Sequence, residues 1–103
     1  MNLGDLLTDV AGSFPDVDAV KARDAGMTWS CLGRPFAVVS ADGDSAEFAL
    51  DPAVAAAATR TPDVAPSAHG PGWVQFRPAV LDGHAADRAA AWFDSARRRV
   101  NGG

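Results

Sequence analysis

The sequence contains one cysteine and neither isoleucine nor tyrosine among its 103 residues. A single thiol excludes an internal disulfide framework and a cysteine-rich zinc site, because both need several thiols in one chain. No apolar run approaches the roughly 18 residues that a membrane-spanning helix needs. The first nine residues include acids but neither Lys nor Arg, which is unlike a signal peptide. We therefore expect a cytoplasmic protein without membrane association, in which Cys31 is reduced and buried.

Alanine accounts for much of the hydrophobic content. The hydrophobic fraction is 48%, but 22 of those residues are alanine and only 27 are larger. Burial stabilises a fold by roughly 25 cal/mol per Å² of apolar area, and alanine contributes little such area. The composition therefore predicts one modest core and a single domain over residues 1–103. The excess of Ala, Arg, Gly and Pro over Lys and Ile is typical of a high-GC bacterial genome.

The net charge of −4 is distributed unevenly along the chain. Residues 1–51 carry nine acids and three bases, whereas residues 52–103 carry four acids and six bases. Domains that bind nucleic acid are usually basic over a whole face. A contiguous positive face would therefore support DNA binding, whereas an acidic sheet with an apolar cleft would support a protein or small-molecule ligand.

Hydrophobic spacing in the first half predicts one helix followed by four strands. Leucines and a valine recur at helical spacing from about Leu3 to Ser13. The segment Asp42-Gly43-Asp44 is a strong hairpin signal between two apolar runs. Because the connections are too short for parallel crossovers, the strands are expected to be antiparallel. The four strands are predicted at Val17–Arg23, Met27–Leu32, Phe36–Ala41 and Ser45–Leu50.

The second half predicts a short helix, one strand and a long closing helix. Asp51 suits the N-cap and Pro52 the first position of the short helix, which Thr61-Pro62 ends. Residues 61–72 hold three prolines and two glycines and are predicted to form a loop. A strand at Trp73–Pro78 follows, and Asp82 or His84 opens a helix that reaches about Val100. The fold class is therefore α+β, an antiparallel sheet with the N- and C-terminal helices packed on one face.

Several short motifs follow one another along this order of elements. Trp29 precedes Gly33-Arg34-Pro35-Phe36-Ala37, residues 61–67 read Thr-Pro-Asp-Val-Ala-Pro-Ser, and Gly72-Trp73-Val74 and Ala91-Trp92-Phe93-Asp94-Ser95-Ala96 come later. Together they resemble the MmcQ/YjbR family of small bacterial proteins, over about residues 3 to 100. The resemblance implies a CyaY-like α+β fold and a non-enzymatic, DNA-binding role of the "double wing" type. Arg34 replaces the turn lysine of that family, and Asp63 replaces a loop glycine.

The resemblance makes dispersed bases and one tryptophan candidates for contacts to DNA. Arginine binds phosphate in a bidentate manner, and an exposed indole can stack on bases. Binding through a few such contacts would be weak and salt-dependent. The ordinary alternative is that these bases are solvated charges, and that Arg97-Arg98-Arg99 is a solvated helix end matched to the dipole. The candidate residues are Arg34, Lys21, Arg23, Arg60 and Arg77 for phosphate, and Trp73 for stacking. We expect several of these bases to lie on the sheet face that the helices leave uncovered, as a positive stripe across the sheet, which makes that face the expected place for function.

No constellation of residues in the sequence predicts catalysis or a metal site. His69 and His84 are the only imidazoles, and they have neither a helical partner nor a cysteine partner for zinc. Ser67 lies near His69, but no Gly-x-Ser-x-Gly elbow surrounds it. We therefore expect no enzyme, no cofactor and no bound metal.

Two further surfaces remain open as alternatives to DNA binding. The surface near Trp73 and the loop at 61–72 suits a protein- or small-ligand-binding module with no nucleic-acid role. The acids of the first half form a possible ridge, for which a protein partner is at least as good an explanation as iron. The ridge consists of Asp5, Asp9, Asp16, Asp18 and Asp24.

Overall fold

The computed structural model describes residues 2–21 and 26–102, and these form one six-stranded antiparallel sheet with three helices. The predicted α+β class is confirmed. Arg23 and the predicted turn at Asp24-Ala25 lie outside the described residues. In chain order the elements are α1 (Leu3–Ala11), β1 (Val17–Lys21), β2 (Met27–Cys31), β3 (Arg34–Val39), β4 (Ala46–Ala49), α2 (Pro52–Ala58), β5 (Val64–Pro66), β6 (Trp73–Phe76) and α3 (Gly83–Gly102).

The three helices begin at side-chain caps. In a capping box, the Asn2 side chain accepts a hydrogen bond from the Asp5 amide and the Asp5 carboxylate accepts one from the Asn2 amide. Asp51 caps α2 as predicted, accepting from the Ala53 amide at 3.0 Å. Asp82 accepts from the Ala85 amide at 2.9 Å at the start of α3. Within residues 2–21 and 26–102, no helix combines the length and the apolarity needed to cross a membrane.

The core lies between one face of the sheet and the helices α1 and α3. Phe93 of α3 is fully buried and meets Trp29 and Phe36 edge-on, with ring centroids 5.5 and 5.0 Å apart. A register shift between Trp29 and Ser30 lets both Phe36 and Ala37 be buried. The stripe predicted on α3 packs here, and it comprises Ala85, Ala89, Trp92, Phe93, Ala96 and Val100.

The segment at 61–72 is not wholly a loop, and that prediction was wrong. Val64–Pro66 forms a sixth strand that pairs antiparallel with β6. Asp63 adopts a φ of 70° just before it, and its carbonyl accepts from the Arg77 amide at 2.9 Å. Proline lacks a backbone amide to donate, so a short strand that contains Pro66 suits the edge of the sheet, where one side needs no partner. The strand order is β1-β2-β3-β4-β6-β5, which places the short strand β5 at that edge.

Candidate functional site

The sheet face opposite α1 and α3, here called the open face, carries acids but no base on its described strands. Cross-strand partners Val38, Glu47 and Gln75 lie side by side in the middle of this face. Strand alternation separates them from Phe48 and Phe76, which contact Trp92 of α3 on the covered side. The expectation that this face carries several bases was therefore wrong. By alternation the open-face residues are Asp18, Val20, Thr28, Ser30, Val38, Glu47, Ala49, Ala65, Trp73 and Gln75.

The predicted phosphate-binding residues are not gathered on one surface. Lys21 pairs with Met27 and lines a cavity of about 240 Å³ with Asp5 of α1, so it belongs to the covered side. Arg34 pairs with Cys31 at the opposite end of the sheet and is exposed. Arg60 is exposed after α2. Arg23 lies outside the described residues.

Arg77 follows β6 and lies beside acids. It lines a cavity of about 420 Å³ with Asp44. The Ser40 hydroxyl and the Asp44 amide donate hydrogen bonds to Asp42 and lower the pKa of its carboxyl, and the charge of Arg77 adds to this effect. The positive charge of Arg77 is therefore partly compensated within the protein, which weakens any attraction for phosphate.

Arg97 is a structural residue rather than a solvated end of α3. Its guanidinium donates to Asp16 at 3.1 Å and to Asp94 at 2.9 Å, and it lies 4.3 Å from the ring centroid of Phe14. Only 16% of the side chain is exposed, against 68% for Arg98. The arginines of this run therefore differ in role. Arg97 joins α3 to the segment between α1 and β1, whereas Arg98 is an exposed charge.

Cys31 is buried, as expected from its strand position. Its thiol lies 3.5 Å from Oδ2 of Asp16, to which it donates. Desolvation raises the pKa of this thiol, and the neighbouring Asp16 carboxylate raises it further. Because the thiolate is the nucleophilic form, a raised pKa makes Cys31 a poor nucleophile at neutral pH.

Three side chains meet at the centre of the open face: Glu47 of β4, Trp73 of β6 and His69 of the intervening loop. Nε2 of His69 lies 2.5 Å from Oε2 of Glu47, and its ring lies 4.9 Å from Trp73 at an interplanar angle of 35°. Oε2 of Glu47 is shielded from solvent, and the ring nitrogen of His69 is the polar atom beside it. Half of the His69 side chain is exposed, so His69 lies over the carboxylate as a partial cover.

The loop between β5 and β6 holds His69 in this place. The Ser67 amide donates to the Trp73 carbonyl at 2.9 Å, and the Trp73 amide donates to the Gly70 carbonyl at 3.1 Å. Gly72 has a φ of 82°, and a Cβ there would lie 2.5 Å from the Leu50 carbonyl oxygen. Glycine at this position therefore lets the loop turn back tightly against the end of β4.

Glu47 and His69 form a carboxylate–imidazole pair beside the indole of Trp73. A carboxylate beside an imidazole can serve as a base when a nucleophile lies within reach. The nearby Ser67 hydroxyl oxygen already accepts a hydrogen bond from the His69 amide at 3.1 Å. Among residues 2–21 and 26–102, no group of three metal-ligating side chains comes together. A carboxylate with one shielded oxygen, an imidazole and an indole are together suited to contact a cationic group.

Sequence reasoning named Trp73 and His69 but missed Glu47. Glu47 is the only glutamate in the chain, and it lies between the buried residues Ala46 and Phe48 in a predicted strand. A lone acid at the outward position of a central strand is a signal that the sequence contains. What the sequence does not contain is the position of His69 above it, because that depends on the pairing of β4 with β6.

Two comparisons with known proteins identify no relative of this chain. The chain matches no protein-family model. A search of curated proteins likewise finds no match.

Proposed function

We propose that this chain is a non-enzymatic protein-binding module of the MmcQ/YjbR type, and that its open face is the binding surface. One observation carries the proposal: the acid in the middle of that face, Glu47, has a carboxylate oxygen that is shielded from solvent and paired with the half-exposed ring of His69. A carboxylate whose partner is a half-exposed side chain can exchange that partner for a charged donor of another protein.

The shape of the face favours a macromolecular partner over a small molecule. Small ligands usually bind in concave pockets. Cavities of about 420, 390 and 240 Å³ lie at the ends and edges of the sheet, and a fourth of about 270 Å³ lies beside Trp73, between α2 and the loop at 70–72. Trp73 lines this fourth cavity, but neither Glu47 nor His69 lines any of the four. The open face is therefore suited to a partner that lies across it.

The charge on the face disfavours DNA as this partner. Glu47 and Asp18 point outward from the described strands, and both repel phosphate. The predicted contacts Lys21 and Arg34 lie at opposite ends of the sheet. Binding to DNA would therefore have to use another surface, such as the end of the sheet where Arg34 is exposed.

A peptide-display selection tests the proposal. Random peptides are selected on the wild-type protein and counter-selected on Trp73→Ala, which removes an indole from the face. We expect enriched peptides that bind the wild type saturably and bind Arg34→Ala equally well. The proposal is overturned if no peptide is enriched, or if enriched peptides bind Trp73→Ala as tightly as the wild type.

A further inference from the structure

The Glu47–His69–Trp73 cluster has the composition of a receptor for an organic cation. A carboxylate supplies charge-assisted hydrogen bonds, and the face of an indole attracts a cation within about 6 Å of its centre. Both features are present together here, because the single ring of His69 contacts Glu47 and Trp73. Any cationic group that reaches the position of this ring has both partners at once.

We infer that the open face binds an arginine side chain of a partner protein, and that His69 occupies the place of its guanidinium when no partner is bound. This inference rests on the proposed function, which it makes more specific. The imidazole is planar, lies against the indole and points a ring nitrogen at the carboxylate. A guanidinium can make the same two contacts, with more donors directed at the carboxylate.

Arginine fits the neighbouring residues better than lysine does. Gln75 is the direct cross-strand partner of Glu47, so its side-chain amide flanks the same position. A guanidinium has five N–H donors in a plane, enough for a carboxylate and an adjacent amide oxygen at once. An ammonium group lacks the planar surface that stacks on Trp73.

The loop that carries His69 makes its displacement feasible. The loop backbone is fixed by Ser67 and Trp73, whereas the polar and aromatic partners of the His69 side chain are Glu47 and Trp73. Half of that side chain is exposed. A rotation about its side-chain bonds is therefore enough to uncover the carboxylate, and no backbone hydrogen bond of the loop has to break.

An NMR titration with two small probes tests this inference. Acetyl-arginine amide carries the guanidinium, and acetyl-citrulline amide is its neutral isostere. At a single fixed pH, we expect arginine amide to shift the Trp73 indole N–H signal saturably and to bind about tenfold more tightly than citrulline amide. Glu47→Gln should weaken arginine binding about tenfold, whereas His69→Ala should strengthen it, because the competing ring is gone.

The outcomes separate this inference from the proposed function. Equal binding of the two probes, or weaker binding of arginine amide by His69→Ala, overturns the inference. In that case the proposed function still stands if the peptide-display selection enriches peptides that lack arginine and bind the open face. If display enriches no peptide on that surface, the proposed function fails as well. Asp18→Asn serves as the matched control, since it removes an acid from the same face without touching the cluster.

Discussion

Arg97 connects parts of the chain that are distant in sequence. Its guanidinium joins Asp16 to Asp94 and covers the ring of Phe14, with little of it exposed. We predict that Arg97→Met lowers the free energy of unfolding by about 1–2 kcal/mol, because it removes charge-assisted hydrogen bonds but keeps the aliphatic stem. Urea denaturation measures the change. Arg98→Met is the matched control, and it should cost at most about 0.5 kcal/mol because Arg98 is exposed.

Asp16 makes the stability depend on pH in the acid range. Desolvation acts to raise the pKa of this carboxyl, but hydrogen bonds from its own amide and from Cys31, together with the charge of Arg97, outweigh it and lower the pKa. A lowered native pKa stabilises the fold above the unfolded-state pKa, and that stabilisation is lost as the pH falls through the native value. We predict that Asp16→Asn is less stable than the wild type near pH 6 and that the difference disappears toward pH 2. Urea midpoints across this range measure it, and a constant difference would contradict the account.

Glu47 should behave as a residue retained for binding rather than for folding. Its shielded oxygen is paired with His69, half of whose side chain is exposed, and its row on the open face includes Val38. We predict that Glu47→Val leaves stability unchanged or raises it by up to about 1 kcal/mol, since β-branched side chains suit this surface. Thermal unfolding checks the prediction. A loss of more than about 1 kcal/mol would instead mean that the contact with His69 holds the sheet together.

Gly72, in the loop between β5 and β6, should be harder to replace than Gly33, in the turn between β2 and β3. Gly33 and Gly72 both have positive φ, but a Cβ at Gly33 meets nothing within 4 Å, whereas at Gly72 it collides with the Leu50 carbonyl. We predict that Gly33→Ala costs roughly 1 kcal/mol and Gly72→Ala about 2–4 kcal/mol. Chemical denaturation of both variants compares them, and equal costs would show that the close approach to Leu50 relaxes freely.

Most elements could be predicted from the sequence because local patterns specify them. The helix from Leu3 has the 3.6-residue spacing of leucines, and Asp51-Pro52 marks the start of α2. The strand at Val64–Pro66 could not be predicted, because three residues with a proline carry no periodic signal. Its existence depends on β6, which supplies the pairing partner.

The candidate site was only partly predictable for a related reason. Trp73 could be singled out after the glycines that precede it, and His69 as one of two imidazoles. Their meeting with Glu47 requires the register of β4 with β6, which pairs Glu47 with Gln75, 28 positions away, and no local pattern specifies it. The register of β1 with β2 overturns the predicted basic face in the same way, because it places Lys21 opposite Met27 on the covered side.

At the scale of the whole molecule, the excess of bases in the second half of the sequence does not produce a basic face on the described strands of the sheet. Three arginines of the second half lie beside acids: Arg97 and Arg98 beside Asp94, and Arg77 beside Asp42. The open face instead presents the shielded carboxylate of Glu47 under the partial cover of His69. We therefore assign partner binding to Glu47, His69 and Trp73 in the middle of the sheet and not to the scattered bases.

One measurement decides between these surfaces: two parallel ¹H–¹⁵N titrations of the wild-type protein, one with acetyl-arginine amide and one with short duplex DNA at low salt. The account predicts that arginine amide shifts the amides of β4, β6 and the His69 loop saturably, and that DNA leaves those signals unchanged. Saturable, salt-sensitive shifts around Arg34 with DNA, and none on β4 or β6 with arginine amide, would contradict it.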